Sequence, residues 1–199
     1  MDIDYGNKIL NVSAELFRQY GIVSVSMDDV AHELHMSKKS IYVEYCSKSE
    51  IIVTLARVYF KLHKRQLVKK SGFTNSAEEF VYISKYCLDM FNEFSPKIVF
   101  DLKKKYPEVL SMFLEYKNTI IHEKVKNNFT NGIKESLYRE EVNVEISSKV
   151  FVEQLQLAFD SLTFPKREYD SWRLLQEMMK NQFFGIAKPE VAQKYESRF

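Results

Sequence analysis

The stretch of residues 26–51, SMDDVAHELHMSKKSIYVEYCSKSEI, decides how the N-terminal part of this chain folds. It contains two short apolar patterns at helical spacing, one over residues 30–34 and one over residues 41–45. Ser26, with an acidic residue three positions later, predicts the start of the first helix, and Ser37 is placed to cap the second. Only His35, Met36 and Ser37 lie between Leu34 and the predicted second helix, so the sequence predicts a helix, a tight turn and a helix.

The flanking sequence supplies a core for this pair. An amphipathic helix is predicted over residues 4–20, with Gly21 as its C-terminal cap, and the capping box of residues 47–50 opens a long helix that Gly72 stops. We expect a small core made by Phe17, Val30, Ile41 and Leu55. This geometry is typical of a unit that inserts its second short helix into the DNA major groove. Geometry alone leaves open that the two helices meet only for packing reasons.

The rest of the chain also favours helices. Five glycines and four prolines in 199 residues are too few turn signals for a many-stranded β fold. Apolar periodicity predicts further helices over residues 80–94, 98–104, 108–129, 133–138 (after a break near Asn131 and Gly132), 145–162 and 170–184, and a short terminal helix with Pro189 at its first position. The predicted fold class is all-α, with about nine or ten helices.

Composition excludes several classes of protein. Hydrophobic residues make up 45% and charged residues 28% of the chain, which are ordinary globular proportions. No window approaches the roughly 20 apolar residues of a membrane helix, and the acidic start does not resemble a secretory signal, so we predict a cytosolic protein without a membrane partner. Cys46 and Cys87 are expected to be reduced structural thiols.

Charge is distributed unevenly along the chain. Residues 1–50 hold five Lys or Arg against eight Asp or Glu, whereas residues 51–75 hold six basic residues and no acid. A basic run is commonly a solvated helix face. Its position directly after a segment that carries Lys38, Lys39 and Lys48 also suits an approach to nucleic acid.

A longer set of residues resembles one family. Its members are Ile9-Leu10, Ala14, Leu16-Phe17, Gly21, Ser26-Met27-Asp28-Asp29-Val30-Ala31, Met36-Ser37-Lys38-Lys39-Ser40-Ile41-Tyr42 and Lys48-Ser49-Glu50-Ile51. Over about residues 8–55 they look like the N-terminal DNA-binding signature of the TetR family of transcriptional regulators. The resemblance implies a homodimer with a helix-turn-helix DNA-binding domain at 1–48 and a helical ligand-binding and dimerisation domain at 49–199. It implies a regulator, most often a repressor, that an unknown small-molecule effector releases from a palindromic operator in double-stranded DNA.

The sequence departs from the family pattern at two positions. His35 stands where the family usually has glycine in the turn, and His is among the residues that better tolerate a positive φ. Glu44 stands where the family often has an aromatic residue. Its carboxylate either accepts a hydrogen bond from cytosine N4 or points away from the DNA as a surface residue.

The resemblance also implies which residues contact DNA. Ser26 and Lys48 match positions at helix starts that hold the backbone, and Tyr42 resembles a phosphate-contacting tyrosine with core packing as the alternative. Residues on the outer face of the second helix are candidates for base edges. The full predicted DNA-binding set is Ser26, Ser37, Lys38, Lys39, Ser40, Tyr42, Val43 and Lys48.

The larger domain is rich in aromatic residues and Met. As a group they fit a mostly apolar cavity with a few polar handles such as His122, so we expect a hydrophobic or aromatic effector, although each residue alone could be core. The predicted ligand-binding residues are Tyr86, Met90, Phe94, Phe100, Met112, Phe113 and Tyr116. The predicted dimer-interface residues, with burial inside the monomer as the alternative, are Phe151, Leu155, Ala158, Leu162, Trp172, Leu175, Met179 and Phe183.

An enzyme is the competing class, and little supports it. In residues 32–35, HELH, the histidines are three positions apart, whereas a metalloprotease helix places them four apart. No nucleophile with a base, phosphate loop or Cys/His cluster stands out, so we predict no enzymatic activity, no metal and no cofactor. The remaining alternative is a ligand-binding or protein-binding dimer of the same fold with degraded DNA binding.

Overall fold

The computed structural model describes residues 5–69, 72–93, 96–165 and 167–199. Across this part of the chain the regular structure is helical, and the only β-type pairing is an isolated bridge between Tyr138 and Ala187. The all-α prediction is confirmed. The helices are α1 (Tyr5–Tyr20), α2 (Met27–Glu33), α3 (Lys38–Glu44), α4 (Lys48–Lys69), α5 (Ser76–Glu93), α6 (Pro96–Lys105), α7 (Pro107–Tyr116), α8 (His122–Lys134), α9 (Val144–Leu157), α10 (Ser171–Ile186) and α11 (Pro189–Tyr195), with a π-helical turn at Lys117–Ile121 and a 3₁₀ turn at Glu196–Arg198.

The chain forms two compact units. The first unit comprises Met1–His63 and Phe94–Leu114, and the second unit comprises Lys64–Glu93 and Glu115–Phe199. The first unit therefore includes a segment of α6 and α7 that lies far along the sequence from the helix-turn-helix. The functional division after residue 48 stays a prediction.

The first unit has its own apolar core. Phe17, Val30 and Ile41 are buried in it, and Leu55 packs against it from a partly buried position, as the sequence predicts. The core continues onto α6 and α7, which contribute Ile98, Leu102 and Val109. Burial of this apolar surface holds the short helices α2 and α3, which are too short to be stable alone.

The second unit is built around Phe80 of α5. The ring centroid of Phe80 lies 5.8 Å from that of Phe129 on α8, 5.6 Å from Phe151 on α9 and 5.2 Å from Phe183 on α10. All four rings are fully buried. Aromatic contacts at these distances favour one packing arrangement, so Phe80 fixes how the four helices meet.

The predicted helix over residues 108–129 is divided. A π-helical turn at Lys117–Ile121 separates α7 from α8, and no local sequence signal predicts it. The predicted break near Gly132 is wrong, because α8 continues through Gly132 to Lys134. The chain turns instead at Ser136, which has a positive φ of 58°. The predicted helix 145–162 also ends earlier, at Leu157.

Candidate nucleic-acid interface

Helix α2 begins at the predicted capping box. The Asp29 backbone N–H donates to Ser26 Oγ at 3.2 Å, and the Ser26 backbone N–H donates to Asp29 Oδ2 at 2.7 Å. The Ser26 hydroxyl also donates to Asp29 Oδ2 at 2.7 Å, and the two hydrogen bonds that this carboxylate accepts from Ser26 hold the pKa of Asp29 below its usual value. The cap satisfies two backbone donors at a helix start that is exposed to solvent.

The turn between α2 and α3 takes the form that the sequence predicts. His35 has a φ of 52°, in the left-handed region that glycine would adopt most easily. The Met36 backbone N–H donates to the Ala31 carbonyl at 2.9 Å and the His35 N–H to the His32 carbonyl at 3.0 Å, which closes the end of α2. The chain therefore reverses within three residues without glycine.

Helix α3 exposes a face of charged, polar and apolar side chains to solvent. Ser37 caps it, accepting the Ser40 backbone N–H at 3.1 Å, and Ile41 turns inward and is fully buried. On the outer side Tyr42 is 41% exposed and Val43 is 76% exposed. An apolar side chain with that exposure has no packing role in the monomer. Lys39 and Glu44 are exposed beside it.

Lys38 has a partner within the helix-turn-helix. Its Nζ lies 2.8 Å from Asp28 Oδ2 on α2, and the hydrogen bond to this carboxylate raises the pKa of Lys38. Both side chains are exposed, so solvent screens the ion pair and it opens at little cost. In the free protein Asp28 nevertheless neutralises one of the predicted base-reading charges.

Lys48 points back into the first unit. Its Nζ donates to the Val25 carbonyl and lies 5.7 Å from the centroid of the Phe17 ring. Partial burial lowers the pKa of this ammonium group. Lys48 therefore ties the start of α4 to the loop before α2, and the backbone N–H groups of the first turn of α4 remain the groups suited to a phosphate.

The capping of α4 differs from the prediction in one hydrogen bond. The Glu50 backbone N–H donates to Ser47 Oγ at 3.1 Å, as a capping box requires. The Glu50 carboxylate, however, accepts the backbone N–H of Cys46 at 2.7 Å. The acidic side chain reaches one residue further back and fixes the connection from α3 to α4.

The predicted ligand-binding residues fall in both units. Tyr86, Met90 and Tyr116 are buried in the second unit, where the hydroxyl oxygens of Tyr86 and Tyr116 are 2.6 Å apart. Burial raises the pKa of Tyr116 to about 12, so the Tyr116 hydroxyl is neutral. Phe94 lies outside the described residues.

Three predicted ligand-binding residues belong to the first unit. Phe100 is 62% exposed on α6, so it is not part of an enclosed lining. Met112 packs against the core of the first unit, and the ring of Phe113 lies 6.5 Å from that of Phe60. Apolar residues on α6 and α7 thus contribute to the core that holds the helix-turn-helix, and a role of these three residues in ligand binding stays a prediction.

The predicted dimer interface also needs correction. Six of its residues are almost completely buried within the second unit and form its core, which is the alternative that the sequence left open: Phe151, Leu155, Ala158, Leu175, Met179 and Phe183. Leu162 is 94% exposed and Trp172 is partly exposed. A different apolar row on α9, formed by Ile146, Val150 and Leu157, faces solvent.

The described residues contain no group of three or more His, Cys, Asp or Glu side chains that could hold a metal ion. None of the helices in the described ranges is long and apolar enough to cross a membrane.

The sequence matches a family model. Residues 9–55, which run from α1 into α4, match the model of bacterial regulatory proteins of the tetR family. The chain is 22% identical over 113 residues to the biofilm operon icaADBC HTH-type negative transcriptional regulator IcaR of Staphylococcus aureus. That match covers 57% of this chain and only 54%, about half, of the length of IcaR.

Solved structures share the fold over nearly the whole chain. A TetR transcription regulator from Haloarcula marismortui superposes with a TM-score of 0.75 at 11% identity, covering 93% of this chain and 99% of the other. A transcriptional regulator from Saccharomonospora viridis in complex with choline gives 0.73 at 17% identity, covering 93% and 98%. The matched residues and the shared fold lead to one conclusion: residues 9–55 carry the helix-turn-helix of the tetR family, and the chain as a whole has the fold of these solved regulators.

Proposed function

We propose that the protein is a sequence-specific DNA-binding regulator that represses transcription by occupying a palindromic operator. The observation that carries the proposal is the outer face of α3. Two capped helices and a turn closed by His35 present Lys39, Tyr42 and Val43 to solvent, while Ile41 anchors the helix from the inside. A lysine can donate to guanine O6 and N7, and a valine can contact the methyl group of thymine. The negative regulator IcaR, 22% identical over 113 residues, supports repression.

A homodimer would explain why the proposed operator is palindromic. Two copies of α3 would read half-sites in successive major grooves, roughly 34 Å apart. The exposed apolar row of Ile146, Val150 and Leu157 on α9 supports self-association, because a helix face of this kind is stabilised when a second copy covers it. In this assignment residues 1–48 read DNA and residues 49–199 bind the effector and form the dimer.

The second unit would bind the effector. Tyr86 and Tyr116 supply two neutral hydroxyl groups among buried apolar side chains, and the imidazole of His122 lies 3.1 Å from Ser148 Oγ. A hydrophobic or aromatic small molecule with one polar group suits such surroundings. Binding would shift the dimer toward an arrangement in which the two α3 helices no longer match the operator, and this would lower DNA affinity.

Fluorescence anisotropy tests the DNA-binding proposal. The probe is a labelled duplex from upstream of the protein's own gene, with a scrambled duplex as the control, titrated at several salt concentrations. We expect tighter binding to the upstream duplex and a steep salt slope. Equally weak binding to both duplexes with a flat salt response would favour the alternative, a dimer of the same fold that has lost its DNA contacts.

Two variants separate base reading from backbone contact. Lys39→Ala should relax the preference at one base pair and cost about 1–3 kcal/mol on the upstream duplex only. Lys48→Ala should weaken binding to both duplexes alike, because it releases the start of α4 from the Val25 carbonyl and so disturbs the backbone N–H groups suited to a phosphate. Equal losses on both duplexes for Lys39→Ala would contradict the base-reading assignment.

A further inference from the structure

Helix α6 ends in three consecutive lysines, Lys103, Lys104 and Lys105, called here the α6 lysine cluster. All three side chains are exposed, and no ion pair is found for them with the described residues. They belong to the first unit, together with the helix-turn-helix, although about 60 residues separate them from it in sequence. Basic residues in the last turn of a helix interact favourably with the helix dipole, but this interaction leaves their charges exposed to solvent.

Two hydrogen bonds attach the end of α6 and the start of α7 to the candidate interface. Asp101, which is 6% exposed, accepts the backbone N–H of Val23 in the loop between α1 and α2 at 3.0 Å. Just after the cluster, Glu108 accepts the hydroxyl of Ser49 in the first turn of α4 at 3.4 Å. The two carboxylates nearest to the cluster in sequence, those of Asp101 and Glu108, are thus engaged by protein groups. In sequence the lysines lie between one contact to the loop before α2 and one contact to α4.

The charges in and next to the α6 lysine cluster act on the start of α4. Burial lowers the pKa of Lys48, the nearby Asp101 carboxylate opposes that change, and the positive charge of Lys105 adds to it. Lys105 is therefore close enough to α4 for its field to reach Lys48. Lys104 is held over the ring of Phe100, with its Nζ 5.8 Å from the ring centroid. A cation held in place in this way loses less side-chain entropy when it binds an anion.

We propose that the α6 lysine cluster is a second contact to the DNA backbone, which takes the phosphates next to those held at the start of α4. The inference rests on the proposed function and adds a segment outside the helix-turn-helix to the DNA-binding surface. The partner is duplex DNA, because three adjacent exposed cations beside a helix start that suits phosphate match a continuous row of phosphates. Such a contact adds affinity without sequence preference.

The test replaces all three lysines with glutamine in the full-length chain. The matched control replaces Lys85, Lys134 and Lys194, three exposed lysines of the second unit, and changes the net charge by the same amount. Binding to the upstream and the scrambled duplex is measured by anisotropy between about 50 and 200 mM salt. Circular dichroism and thermal unfolding check that both variants fold. A third variant, with arginine at positions 103–105, keeps the charge.

We expect the α6 variant to lose affinity for both duplexes by the same factor. Its salt slope should fall by about 0.9 for each lost contact, so the affinity deficit should shrink about 3.5-fold per contact over that fourfold rise in salt. The control and arginine variants should retain the wild-type slope. An α6 variant that folds and keeps the wild-type slope, or a control variant with an equal loss, overturns the inference. Wild-type protein that binds neither duplex contradicts the proposed function instead.

Discussion

Gly132 offers a sharp test of how the second unit is packed. It lies inside α8, and a Cβ atom added there would be 2.1 Å from Cδ2 and 2.2 Å from Cε2 of the Tyr138 ring. Tyr138 is fully buried, and its hydroxyl lies 2.9 Å from the Ser76 carbonyl and 3.0 Å from Asn128 Oδ1. The ring cannot move aside for a methyl group without disturbing these hydrogen bonds.

The magnitude of Gly132→Ala follows from three contributions. Overpacking of the core costs about 1–3 kcal/mol, and a disturbed buried hydrogen bond costs about 1–3 kcal/mol. Alanine restores about 1 kcal/mol through its higher helix propensity. The net expectation is a loss of about 3 kcal/mol, which lowers the Tm of a chain of this length by roughly 6–12 °C.

Gly185→Ala is the matched control. Gly185 lies in α10, and an added Cβ would meet nothing within 4 Å. This variant should gain up to about 1 kcal/mol from helix propensity alone, so its Tm should rise by a few degrees. Thermal and urea unfolding are followed by circular dichroism at one protein concentration, because the proposed dimerisation would make Tm depend on concentration. Gly132→Ala as stable as the wild type, or two glycine variants that shift alike, would refute the reasoning.

Three further outcomes are expected. Asp28→Asn removes the ion-pair partner of Lys38 and one negative charge, so it should raise affinity for operator and scrambled duplexes in anisotropy; unchanged affinity would contradict this. A thiol reagent should label Cys46 in the native protein and Cys87 only after unfolding, because burial raises the pKa of the Cys87 thiol; two labelled thiols in the native state would contradict it. Partial burial of Glu153 opposes its ionisation, but hydrogen bonds from two lysines outweigh it and lower its pKa from 4.5. The stability that Glu153 contributes is therefore present above about pH 4.5 and lost below it, so the Tm difference from Glu153→Gln should shrink on acidification.

Local signals in the sequence were enough for the helix-turn-helix. The caps at Ser26 and Ser37, the positive φ of His35 and the inward position of Ile41 all follow from residues within a few positions of one another. Capping and turn geometry depend on short-range hydrogen bonds and sterics, which is why they can be predicted without knowledge of the fold. The exposed face of α3, and with it the candidate DNA-reading residues, follows from the same periodicity.

Contacts between distant segments account for what the sequence analysis missed. In the sequence Gly132 resembles a helix break, but in the structure it lies inside α8, where the ring of Tyr138 comes close to its backbone. The chain reverses at Ser136, where φ is 58°, and this reversal brings Tyr138 back onto the helix. The role of the α6 lysine cluster is equally invisible in sequence, since the contact from Asp101 to Val23 spans 78 positions. Neither feature has a local signature.

The sequence by itself determined the helical fold class, the helix-turn-helix and the residues that the second helix of this motif exposes to solvent. It could do so because helix periodicity, capping and turn conformation are encoded over a few residues. Only the tertiary structure decided which apolar face of α9 is core. Helix α9 carries one row that includes Phe151 and Leu155 and another that includes Ile146 and Val150, and both are apolar. Packing against α5, α8 and α10 buries the first row and leaves the second exposed, because a helix can turn only one of two such faces toward its neighbours.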